Sequence, residues 1–130
     1  MEIANYDIQK LLKSLYGRVI GIGKATYTSN RPKATAEGMD DFIVVSAPHQ
    51  LVDRLALGNT TCYVALFVKD RKGGSENLTR ATQMQKAVYA LFPFEDDSYM
   101  FRKPQIVASG ADGNGFHIYT ISIKTIIKAI

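Results

Sequence analysis

The chain has 130 residues, 46% of them hydrophobic and 22% charged, and a net charge of +4. That is one domain's worth, spanning residues 1–130, and it can bury roughly two-thirds of its unfolded surface without a disulfide or a metal. A single cysteine excludes an intramolecular disulfide, and no apolar run nears the ~20 residues that cross a bilayer. The opening MEIANYDIQK lacks a basic n-region and an apolar core, so we expect no signal peptide and synthesis in the cytosol. Lys10, Lys13 and Arg18, then Lys69, Arg71 and Lys72, then Lys124 and Lys128 are scattered along the chain. They read as a soluble surface; a nucleic-acid footprint would cluster them on one face or interleave them with aromatics.

In chain order, Ile8, Leu11, Leu12 and Leu15 have i, i+3, i+4, i+7 spacing and predict a helix. Asn5 can cap its start and Gly17 can end it. Arg18–Ile22 is a short β-rich run weakened by Gly21. Lys24 to Asp41 holds Asn30, Pro32 and Gly38 with few apolar residues, and reads as a long surface loop. Phe42–Ser46 (FIVVS) is a continuous apolar run, the pattern of a strand buried on both faces. His49–Gly58 reads as a short helix or an irregular segment, and Gly58-Asn59 as a turn.

Thr61–Val68 is strand-like, Lys69–Ser75 is a charged glycine hinge, and Glu76–Phe92 is an amphipathic helix stopped by Pro93. The apolar seam of that helix runs through Leu78, Ala81, Met84, Val88, Leu91 and Phe92, with Ser75 or Asn77 able to cap it. Tyr99–Ala108 is a strand in which Pro104 argues for an edge or a bulge. Ser109–Gly115 is turn chemistry, and Phe116–Ile127 is a long strand with His117, Tyr119, Ile121 and Ile123 on one face. The expected fold is α+β in two layers: a mostly antiparallel sheet of about four to five strands packed against two helices.

No motif supplies chemistry. Lys69–Ser75 before a helix invites a phosphate-loop reading, but neither GxxxxGK[ST] nor GxGxxG is present. Asp112-Gly113-Asn114-Gly115 has Ile123 where a calcium loop needs its twelfth-position glutamate. His49 and His117 have no partners at zinc-ligand spacing. Ser46, His49 and Asp53 lack a nucleophile elbow. Asp40-Asp41 and Asp96-Asp97 are adjacent carboxylates whose side chains point apart in extended backbone, so solvated loop charge is their expected role. Cys62, inside TCYVALFV, reads as a small buried hydrophobe.

The order of elements, carried by Ile8–Leu15, Phe42–Ser46, YVALFVKD at Tyr63–Asp70, AVYALFP at Ala87–Pro93 and the paired strands over Tyr99–Ile127, resembles the tail-terminator (tail-completion) proteins of long-tailed bacteriophages. That resemblance implies a subunit with no catalytic, cofactor or metal site. It implies assembly with itself into a ring, usually of six copies, that caps the tail tube and docks to the head connector. The chain would then reside in the host cytoplasm during assembly and afterwards in the virion, with no membrane and with DNA only passing through the ring. Heterologous interfaces close into rings, and the side chains nominated for contacts with neighbours are Arg31 and Lys33 of the long loop and Lys69, Arg71 and Lys72 of the hinge. Two other classes compete. A small basic nucleic-acid-binding module would bind in a steeply salt-dependent way. A small enzyme would need Asp40, Asp96 and Asp97 in one pocket.

Overall fold

Leu11, Leu12, Leu15 and Val19 are all buried on one stripe of a helix, α1 (Ile8–Val19). A computed structural model describes residues 8–23, 25–28, 40–47, 52–54 and 57–128; the cap expected at Asn5 lies outside them. The helix does not stop at Gly17. Gly17 sits on the exposed side, where an added Cβ would meet nothing. A helical glycine there costs about 1 kcal/mol relative to alanine, and fully burying Val19 one turn beyond Leu15 returns ~1.5–3 kcal/mol. The chain turns out of the helix at Gly21, whose φ of +97° is the left-handed conformation that ends helices. The β-run expected over Arg18–Ile22 is therefore the last helical turn and its exit.

The strands form one sheet: β1 (Ala25–Thr28), β2 (Phe42–Ser46), β3 (Val52–Arg54), β4 (Leu57–Lys69), β5 (Phe94–Glu95), β6 (Tyr99–Ala111) and β7 (Phe116–Ile127). The order is β1-β2-β4-β7-β6-β5, with β3 also paired to β4. β1 runs parallel to β2 and every other pairing is antiparallel. The expectation of four to five mostly antiparallel strands is thus corrected to a mixed, seven-stranded sheet.

Three strands were not expected from the sequence: β1, β3 and the two-residue β5. Ala25–Thr28 is too short to declare itself by alternation and is fixed by its parallel register, Ala25 opposite Phe42 to Thr28 opposite Val45. Val52–Arg54 belongs to the segment expected to be a short helix or irregular, and pairs with Leu57–Asn59. Gly58 and Asn59, expected to turn, are inside β4.

The sheet has two apolar faces. On one, Ile43, Val45, Val64, Leu66, Ile121 and Ile123 pack with the buried stripes of α1 and of α2 (Leu78–Leu91), namely Ala81, Met84 and Val88. On the other, no described helix lies over the sheet, and Phe42, Val44, Phe67 and Phe116 form a second cluster with Tyr27 at its margin. The rings of Phe42 and Phe67 stack at 4.4 Å, and Phe116 meets Phe42 edge-on at 5.1 Å. FIVVS is buried on both faces because its alternating side chains serve both clusters.

α2 begins at Asn77, whose Oδ1 accepts the Arg80 N–H at 3.1 Å, and ends before Pro93. α1 is tied to this end. The Arg18 guanidinium donates twice to the Leu91 carbonyl, at 3.2 and 3.0 Å, and lies 4.1 Å over the Phe94 ring. β6 carries register shifts around Pro104 and Val107, the bulges that Pro104 suggested. It extends to Ala111, so the turn shrinks to Asp112–Gly115, where Asp112 Oδ1 accepts from Asn114 N–H and Phe116 N–H.

Candidate functional surfaces

Lys69 is the last residue of β4, and the segment from Asp70 to Asn77 carries the chain to α2. The strand ends because β7 begins opposite it, Lys69 pairing with Phe116. Gly73 and Gly74 then take φ of +98° and +90°, values that side chains avoid. The turn closes on itself through Arg71 N–H to Ser75 O at 2.8 Å and Gly74 N–H to Arg71 O at 2.9 Å. It is also tied to the neighbouring turn, Asp70 N–H donating to Gly115 O at 2.9 Å. Arg71 and Lys72 stand exposed at its tip, Arg71 reaching Thr79 Oγ1 at 3.4 Å, while Lys69 is half-buried. Of the five nominated contact residues, Arg71 and Lys72 share this loop and Lys69 ends the strand that enters it; Arg31 and Lys33 lie outside the described residues.

Beneath the loop is a polar network that the sequence did not announce. Asp41 accepts the Lys69 N–H at 2.8 Å through one oxygen and pairs with Arg80 Nε at 2.7 Å through the other. Arg80 also donates to the Ile22 carbonyl at 3.2 Å. One carboxylate thereby joins the start of β2, the end of β4, the first turn of α2 and the exit of α1. His117 Nδ1 lies 2.5 Å from Asp70 Oδ1, and the buried Tyr119 hydroxyl donates to Glu76. Burial, reinforced by the hydrogen bond and charge of Glu76 and the charge of Asp70, pushes the Tyr119 phenol well above its ordinary range. These pairs come from long-range register, which no local motif encodes.

The carboxylates proposed for an enzyme do not converge. Asp40 lies beside Asp41 at the Lys69 end of the sheet, whereas Asp96 is at the opposite end of β7, bound to Ser14 Oγ at 2.8 Å and to the Ser98 and Tyr99 N–H groups. Twelve residues of β7 separate the two ends, roughly 35 Å at the rise of a strand. Burial would raise the Asp96 carboxyl, but those bonds, with the charge of Lys128, hold it below its usual value. Cys62 is fully buried, and desolvation pushes its thiol up to about 11 against a weaker opposing bond from Thr125. Among the described residues no three His, Cys, Asp or Glu side chains gather to hold a metal ion, and no helix is long and apolar enough to cross a membrane.

The other notable surface is the outer side of β6. β5 pairs only with Met100 and Phe101, so among the described residues the outer backbone from Arg102 to Ala111 has no strand beside it. Ile106 and Val107 are 40% and 52% exposed there.

No family model matches the chain, and no curated protein sequence matches it. A solved structure is similar in fold: a chain of the virion of a native gene transfer agent (GTA) particle, at 10% identity and a TM-score of 0.55, with 96% of this chain and 100% of that chain covered. At that identity the likeness is one of fold.

Proposed function

We propose that this chain is a structural subunit of a phage-like virion. The observation that carries the reading is the likeness of its fold, over 96% of its length, to a chain from a virion particle. The finer form of the proposal is a tail-completion subunit. Copies join head to tail into a ring of six that caps the tail tube and meets the head connector, with DNA passing through. The work of such a subunit is geometric, without a catalytic step, cofactor or metal. It is made in the host cytoplasm and ends in the virion.

Two features support the finer form. The sequence resembles the tail-terminator proteins in the order of its principal elements, and the exposed Arg71 and Lys72 stand on a loop braced from below by Asp41, Arg80 and Asp70. A braced, exposed, cationic loop suits contact with a neighbouring subunit, because little ordering remains to oppose binding; Arg31 and Lys33 are proposed as further contacts on their charge alone. Negative-stain electron microscopy of the concentrated protein tests the proposal. Closed rings of uniform diameter are the expected result; isolated particles of monomer size at every concentration contradict it.

A further inference from the structure

The open part of β6 borders a depression of about 480 Å³. Its wall is cationic: Arg102, Lys103 and Lys124 all line it, all three are exposed, and among the described residues no acidic side chain lines it. None of the three has an ion-pair partner among the described residues. Met100 and Pro93 add apolar surface. Lys124 alternates with the buried Ile123 and Thr125, which places it on the sheet face turned away from the helices.

We propose that this edge and depression together bind an extended acidic segment of a partner protein, taken up as an added strand beside β6. Two independent features define that occupant. An unpaired strand edge satisfies its outer N–H and C=O groups by receiving another extended backbone. Alternate residues of the added strand fall on one face about 7 Å apart, so carboxylates at i and i+2 meet the cation cluster while apolar residues between them cover Ile106 or Val107.

A second copy of this chain is a poor occupant. Its Asp41, Asp70, Glu76, Glu95, Asp96 and Asp112 are each bonded within their own fold. No described strand carries two carboxylates on one face. Among the described residues a second copy thus offers no acidic strand, and a different protein is the better occupant.

The test is fluorescence anisotropy with a labelled decapeptide of alternating Glu and Thr, run beside a Lys/Thr decapeptide and a short DNA duplex. Amide hydrogen exchange is followed over Arg102–Ala111. The expected result is binding of the acidic peptide alone, with slowed exchange on that edge. Lys103→Glu/Lys124→Glu should weaken it at least tenfold and Lys103→Gln/Lys124→Gln should weaken it less. Both side chains are exposed, so the variants keep the fold. Binding of the duplex without the peptide, peptide binding indifferent to both variants, or no binding of any probe each overturns the proposal. So does a double variant whose only defect is lost self-association, which would make the edge a copy-to-copy contact. The readout is peptide binding by the free chain, so its failure is separate from a failure to form rings.

Discussion

Asp41 shows how much a single carboxylate does in this protein. Its two oxygens hold a strand-end N–H and a guanidinium from different elements. Removing one partner of such a half-buried set leaves the others unsatisfied, at a cost of ~1–3 kcal/mol. Asp41→Ala should therefore lower the urea midpoint by that equivalent, with Asp41→Asn, which keeps one acceptor, falling between. Cys62 gives a prediction with a sign. Its thiol is held neutral in the fold up to about 11, against an ordinary value of 9.0. The contribution is fully present below pH 9 and is lost as pH rises toward 11, because the unfolded thiol ionises first. Cys62→Ala should flatten the fall in stability across that window in pH-dependent urea melts, and the native thiol should resist an aromatic disulfide reagent at pH 8. Asp96 runs the other way: its lowered value means stability lost as pH falls below 3.8, a loss that Asp96→Asn should reduce.

At the scale of elements, the helices and the long strands were legible because their side chains repeat. The Ala81, Met84, Val88 and Phe92 seam and the alternation of Phe116–Ile127 both appear in the structure with the faces expected of them, whereas Leu78, expected on that seam, is 60% exposed. Boundaries set by competition were not legible. Gly17 reads as a stop signal locally, but the burial of Val19 carries the helix past it. β1 and β3 have few residues each and exist because β2 and β4 offer them an edge in register, a fact held in the partner strands. The loop network was hidden for the same reason, since Asp70 meets His117 and Glu76 meets Tyr119 across dozens of residues. The Asn77 cap, by contrast, is local and was one of the two residues the sequence offered. Asn77→Ala should cost about 1 kcal/mol in thermal or urea unfolding, whereas Ser75→Ala should be nearly silent.

At the scale of the whole molecule, the chain lays one mixed sheet under two helices and leaves the β6 edge and the Arg71–Lys72 tip facing outward. A long strand edge with exposed Ile106 and Val107 invites pairing, which free proteins usually blunt. Lys103, Pro104 and the bulges blunt it only in part. Outward-facing edges and loops on a small fold suit a subunit whose work is done in an assembly. Self-assembly, proposed above for a virion subunit, can be measured by light scattering across a wide concentration series. The expected result is conversion from a 14.4 kDa monomer to one closed species, near six times that mass. Arg71→Glu/Lys72→Glu should shift the conversion to at least tenfold higher concentration. A mass that stays at the monomer throughout, or one that climbs without limit, would contradict the proposal.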